Sequence, residues 1–119
     1  MRVLYVEDDQ ASQRLVQRAL ETEDIEVVVV ADGSRAIELL RREPFDALLL
    51  DIMLPGIDGF QVGRSARREA KNKDIPIVFL TAHPYSLREY DAKWLEPVAC
   101  LTKPIDFDKL KKALFSGKK

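Results

Sequence analysis

Short apolar runs alternate with amphipathic stretches along the whole chain, and most of the runs stop abruptly on a polar residue. The run at 3–6 ends at Glu7-Asp8-Asp9, and residues 11–22 follow with helical spacing. That spacing predicts an inner face of Ala11, Leu15, Ala19 and Leu20 (or Val16). The run at 25–30, with four consecutive valines, predicts a second strand, after which Asp32-Gly33-Ser34 opens a second helix with Ala36, Ile37 and Leu40 inward. Pro44 separates that helix from a third run, 47–50, which ends on Asp51. Leu54-Pro55-Gly56 then turns the chain, and a third helix is predicted from about Asp58 to Ala70, with the small residues Gly63, Ala66 and Ala70 inward. Residues 75–80 form a fourth run ending at Thr81, and 98–102 a fifth ending at Lys103-Pro104. Between them, Pro84 falls in the first turn of a predicted fourth helix and Pro97 stops it. Asp106 or Asp108 starts the last helix, with Phe107, Leu110 and Leu114 inward.

Runs this short, bounded by turn residues, suit strands buried on both faces. Five strands alternating with helices predict a doubly wound (βα)5 α/β domain: one parallel sheet, covered on both faces through right-handed crossovers. Alternation does not give strand order, but the polar run ends suggest it. In the order 2-1-3-4-5, strands one and three meet at the switch point, and Glu7, Asp8, Asp51, Thr81 and Lys103 all line one edge.

Composition narrows the reading. The length of 119 residues predicts one domain, 1–119. Lys and Arg total 19 against 20 for Asp and Glu, so no overall affinity for nucleic acid is expected. The charges are segregated, with 13 acidic and 6 basic groups in residues 1–60 and 7 and 13 in the remainder. A single cysteine, Cys100, rules out an internal disulfide and fits a reducing, cytoplasmic setting. No apolar run approaches the roughly 20 residues of a membrane span. The start of the chain is too short and too soon acidic to read as a signal peptide.

Three carboxylates gathered at one edge cannot all stay ionised without a cation, and an all-oxygen ligand set selects a hard ion, Mg²⁺. With the ion bound, a carboxylate oxygen of Asp51 could attack phosphorus, in a reaction that needs mainly positioning and charge neutralisation. Lys103 offers a point charge and Thr81 a hydroxyl for phosphoryl oxygens. Glu7 and Asp9 stay open between the site and a helix cap.

On these residues the chain resembles the receiver domain of bacterial two-component response regulators, chemotaxis-regulator-like and flavodoxin-like in fold. The matching stretches are 3–9, 48–59, Thr81-Ala82 and Leu101-Thr102-Lys103-Pro104, in order and at the family's spacing. The resemblance implies that Asp51 accepts a phosphoryl group from a histidine kinase or phosphotransfer protein. It implies that Asp8, Asp51 and the backbone carbonyl of Met53 ligate Mg²⁺, with Glu7 acting through water. Thr81 and Lys103 become the switch and phosphate-pairing residues, and the bond before Pro104 is expected to be cis. The module is then not an enzyme but a phosphoacceptor that assists its own phosphorylation and dephosphorylation. It relays its state through the fourth helix, the fifth strand and the last helix to an output domain or protein. Membrane and direct nucleic-acid partners are not expected.

The departures from the family pattern also carry information. Cys100 stands three residues before Lys103, where the family usually has Tyr or Phe, and Glu96-Pro97-Val98-Ala99 replaces its usual Gly-Ala-Asp-Asp. Cys100 has no ring to swing, so the switch is expected to act through the loop from Thr81 to Leu87 and the fourth helix. Met53 and His83 are candidate modulators of phosphoryl lifetime. Tyr85, Leu87, Tyr90 and Trp94 make that fourth helix aromatic and mostly core, while Arg64, Arg67, Arg68, Lys71 and Lys73 read as a solvated basic face. An aspartyl-phosphate phosphatase would need a second acid two residues after Asp51, where Met53 stands, and neither G-x-x-x-x-G-K-[ST] nor G-x-G-x-x-G occurs. A receiver that has lost signalling is disfavoured by the retention of Asp8, Asp51, Thr81 and Lys103.

Overall fold

A computed structural model describes residues 1–52, 54, 56–57, 59–81 and 99–116. Five parallel strands, β1 (Arg2–Val6), β2 (Glu26–Val30), β3 (Ala47–Asp51), β4 (Ile77–Thr81) and β5 (Ala99–Thr102), form one sheet in the order β2-β1-β3-β4-β5. The described helices are α1 (Gln10–Glu21), α2 (Gly33–Arg42), α3 (Gly59–Arg68) and α4 (Phe107–Ser116). The sheet order is the expected one. Among the described residues no helix is long and apolar enough to cross a membrane.

The strands read as unbroken apolar runs because both faces are covered. One face carries Leu4, Val6, Leu48, Leu50, Ile77 and Phe79 against Ala36 and Leu40 of α2 and Phe60, Val62 and Ala66 of α3. The other carries Val3, Tyr5, Ala47, Leu49, Val78 and Leu80 against Val16 and Leu20 of α1 and Leu110, Ala113 and Leu114 of α4. Phe60 and Phe79 join α3 to β4 with ring centroids 5.3 Å apart and planes at 58°, a tilted arrangement favoured by the ring quadrupoles.

Short polar side chains set the helix starts. Asp9 caps α1, its carboxylate accepting from the Ser12 N–H at 2.9 Å and the Ser12 hydroxyl at 2.6 Å. Asp32 caps α2 through the Arg35 N–H at 2.8 Å. Asp106, one of the two residues expected to start the last helix, caps α4 through the N–H groups of Asp108 and Lys109.

Two expected inner faces differ. Leu15 is 61% exposed and Ala11 is also exposed; of the expected positions α1 buries Leu20 and its alternative Val16. The two stripes are one residue, about 100°, apart on a 3.6-residue turn. Ala70 is exposed because α3 ends at Arg68, leaving Gly59, Phe60, Val62, Gly63 and Ala66 as its buried residues. The predicted helix after β4, with Pro84, Tyr85, Leu87, Tyr90, Trp94 and Pro97, lies outside the described residues, as does Asp58.

The end of the sheet away from the acids is held by Asn72. Its side chain is fully buried; the carbonyl accepts from the Phe45 N–H at 2.8 Å, and the amide donates to the carbonyls of Leu40 at 2.7 Å and Glu43 at 2.9 Å. One side chain thus ties the loop after α3 to the end of α2 and the entry to β3. Asn72→Ala would leave three backbone groups without this partner, those of Phe45 and Leu40 in buried bonds, so a loss of about 2–4 kcal/mol in urea unfolding is expected. A loss below roughly 0.5 kcal/mol, the scale of an ordinary surface substitution, would contradict this role.

Candidate functional site

The sheet register brings the polar run ends together. Val6 pairs with Leu50, so Glu7 follows beside Asp51; Asp51 pairs with Leu80 and Thr81 with Thr102, the residue before Lys103. Backbone bonds extend the alignment past the strands, from the Glu7 N–H to the Val30 carbonyl at 3.0 Å and from the Lys103 N–H to the Thr81 carbonyl at 2.8 Å. Side chains two apart share a face, so Tyr5 and Glu7 point to the side of the sheet covered by α1 and α4.

Lys103 bridges the carboxylates. Its Nζ donates to Glu7 Oε1 at 2.7 Å and to Asp51 Oδ2 at 2.9 Å. Glu7 and Asp51 are both buried, Glu7 completely, and the Lys103 side chain is 22% exposed. Asp8 is exposed, yet oxygens of Glu7, Asp8 and Asp51 all lie within 4.8 Å of one another. Thr81 is buried at the end of β4. The peptide between Lys103 and Pro104 is cis. Asp9 serves the helix cap rather than the cluster, its acidity strengthened by the Ser12 hydrogen bonds. Cys100 is exposed and pairs with Phe79 across β4 and β5. Met53 and His83 lie outside the described residues.

Burial, and then the Asp51 carboxylate beside it, pushes Glu7 up to about 7, while Lys103 pulls it the other way. Lys103 is pushed down by its own burial, but the two carboxylates outweigh that and leave it above the usual lysine value. The cluster therefore holds more negative charge than its one ammonium neutralises. The donor set is all oxygen, combines two buried carboxylates with an exposed one, and opens toward solvent at Asp8. That chemistry fits a hard divalent cation that keeps part of its water.

Two parts of the site were not anticipated. Tyr5 donates its hydroxyl to Glu7 Oε1 at 3.2 Å, and a tyrosine two places before an acid on one strand face was a readable signal. Gly59 starts α3 against the backbone of β3: a Cβ there would sit 2.6 Å from the Asp51 carbonyl oxygen. The Gly59 N–H donates to the Ile52 carbonyl at 3.2 Å. The close approach of α3 behind Asp51 requires glycine at this position.

Comparison with known proteins agrees with this arrangement. The family profile described as "Response regulator receiver domain" matches residues 3–115. The response regulator PleD of Caulobacter vibrioides is 39% identical over 107 residues, covering 88% of this chain and 23% of PleD. The sensor protein GacS of Pseudomonas syringae is 38% identical over 107 residues, covering 87% of this chain and 12% of GacS. The chain thus spans less than a quarter of either relative. The receiver domain of the sensor histidine kinase PA1611 from Pseudomonas aeruginosa, solved with magnesium in its active-site cleft, superposes with a TM-score of 0.86 at 29% identity, covering 97% of this chain and 94% of that one. The response regulator TrrA from Thermotoga maritima, in complex with Mg(2+)-BeF, gives a TM-score of 0.86 at 28% identity, covering 98% and 97%. On the strength of the match over residues 3–115 and of the shared fold, this chain belongs to the response regulator receiver domain family of two-component signalling.

Proposed function

We propose that Asp51 is the phosphoacceptor, taking a phosphoryl group from the phosphohistidine of a histidine kinase or phosphotransfer protein. The observation that carries this reading is the Lys103 ammonium held on Asp51 Oδ2 and Glu7 Oε1 at the carboxyl edge of the sheet. A carboxylate oxygen of Asp51 attacks phosphorus; the new P–O bond forms as the P–N bond to histidine breaks, and the imidazole nitrogen leaves with the bonding pair. Positioning and neutralisation of phosphoryl charge are the whole task, and this chain supplies both from fixed elements. Gly59 lets α3 pack directly behind Asp51. Lys103 is already beside the attacking group, ready to pair with phosphoryl oxygens. Thr81, tied to Lys103 by the backbone, brings its hydroxyl from the end of β4.

Asp8 and Asp51, with the Met53 carbonyl and with Glu7 through water, would hold Mg²⁺. When bound there, the ion supplies Lewis acidity and charge neutralisation toward the phosphoryl oxygens. The module assists its own phosphorylation and dephosphorylation rather than turning over a separate substrate. Its output runs through the face built from the helix predicted after β4, from β5 and from α4, to a domain or protein in the cytoplasm. With Cys100 exposed and ringless, movement of the loop after Thr81 is the route by which the state leaves the site.

Incubation with acetyl phosphate and Mg²⁺ should add one phosphoryl mass to the intact protein, and Asp51→Asn should abolish the addition. Normal labelling of that variant would place the acceptor elsewhere.

The cation should also act on stability. Metal-free, Asp8 is repelled by its neighbours; Asp8→Ala should raise the melting temperature by roughly 2–5 °C and remove the further rise that Mg²⁺ gives the wild type. An unchanged Mg²⁺ response in Asp8→Ala contradicts the ligand assignment.

The pH dependence follows from Glu7, whose folded value of about 7 lies above the usual 4.5. The folded state then holds a proton that the unfolded chain releases, so Glu7's contribution to stability falls as pH rises from about 4.5 to 7 and stays low above that. Glu7→Gln should remove this decline in the metal-free protein. A decline of the same size in the variant would assign it to other groups. Mg²⁺ competes with that proton, so its stabilising effect should grow from pH 6 to pH 8.

A further inference from the structure

Tyr5 is fully buried among aliphatic residues, flanked in register by Val29 of β2 and Leu49 of β3. A phenol in such a place loses the hydration of its hydroxyl and needs a partner in return. The hydroxyl donates to Glu7 Oε1 at 3.2 Å, and burial with the Glu7 charge beside it holds the phenol firmly protonated. The same oxygen receives the Lys103 ammonium at 2.7 Å. Two donors thus converge on one buried carboxylate oxygen, and they differ in commitment. Lys103 also serves Asp51 Oδ2 at 2.9 Å, so it is shared with the residue that reacts. Among the described residues the Tyr5 hydroxyl has one hydrogen-bond partner, Glu7 Oε1.

A phosphoryl group on Asp51 would bring oxygens carrying more charge than the carboxylate they replace as partner. Those oxygens draw Lys103 away from Glu7. Loss of the ammonium would take from the buried Glu7 carboxylate the counter-ion that touches it directly, and breaking a buried ion pair on one side is costly. A hydroxyl already in place lowers that cost.

We propose that Tyr5 is a positioning residue of the phosphoryl site, its hydroxyl holding Glu7 Oε1 while Lys103 moves its ammonium from Glu7 to the phosphoryl oxygens. This rests on Asp51 being the phosphoacceptor. It requires the hydroxyl to matter more in the phosphoryl-bearing state than in the free protein. A tyrosine that only fills the core would matter equally in both.

Tyr5→Phe keeps the ring and removes the one atom in question. Beryllofluoride, with saturating Mg²⁺ at pH 8, serves as the phosphoryl mimic, and calorimetric titration gives its Kd for wild type and variant. Wild-type binding that disappears in Asp51→Asn tests the phosphoacceptor reading by itself; if the wild type does not bind, that reading and the inference built on it both fail. Given wild-type binding, Tyr5→Phe is expected to weaken it roughly three- to tenfold, the net scale of one ordinary hydrogen bond. A purely structural role lowers the melting temperatures of free and bound protein together and leaves Kd unchanged, by linkage. A Kd for Tyr5→Phe within twofold of the wild type, whatever its melting temperature, overturns the proposal.

Discussion

Two buried carboxylates share one ammonium at the edge of a parallel sheet, and the features of the site follow from that shortage of positive charge. Glu7 and Asp51 both lean on Lys103, and Asp8 adds a third carboxylate on the solvent side. A cluster with excess negative charge invites whatever relieves it, whether a proton on Glu7, a divalent cation or a change in how Lys103 is divided. Each of these is a different state of the same three acids. The fold's part is to make the shortage unavoidable. The register of β1 against β3 puts Glu7 beside Asp51, and the backbone bond from Lys103 to Thr81 fixes the fifth strand's exit at the same edge.

The opposite end of the sheet does the complementary work. Asn72 joins the end of α2, the entry to β3 and the loop after α3 through three hydrogen bonds of its buried side chain. Arg2 pairs with Glu26 and Glu43 and lies over the Phe45 ring, 4.9 Å from its centroid. The glutamates at that end are partly or largely exposed, whereas Glu7 and Asp51 at the carboxyl edge are buried. The division is common to open α/β sheets, where ligands meet the carboxyl ends of the strands. In this chain it rests on named side chains at both ends.

Much of this was legible in the sequence because the strands are short, apolar on both faces and stopped by charge. Asp51, Thr81 and Lys103 advertise the edge simply by ending apolar runs, and the strand order follows from bringing them together. Leu15 was misplaced because stripes starting at 11 and at 12 are nearly equal in apolar content and lie one residue apart on the helix. Ala70 was misplaced because small residues continue the helical spacing beyond the point where α3 stops. Asn72 was invisible for a different reason: its partners are all backbone groups, which leave no trace in side-chain pattern. Tyr5 sat in plain view, but as one more large residue in a buried strand; its hydroxyl becomes informative only once Glu7 is known to be turned inward.

The central claim is that the Lys103 ammonium is the shared charge that the phosphoryl state redistributes, and a crystal structure with Mg²⁺ and beryllofluoride tests it most directly. Such a structure is expected to show beryllium on a carboxylate oxygen of Asp51, Lys103 Nζ within hydrogen-bond reach of a fluoride and withdrawn from Glu7 Oε1, and the Tyr5 hydroxyl still on Glu7. Beryllofluoride seated on Asp51 with Lys103 still bridging Glu7 and Asp51 at the present distances would contradict it.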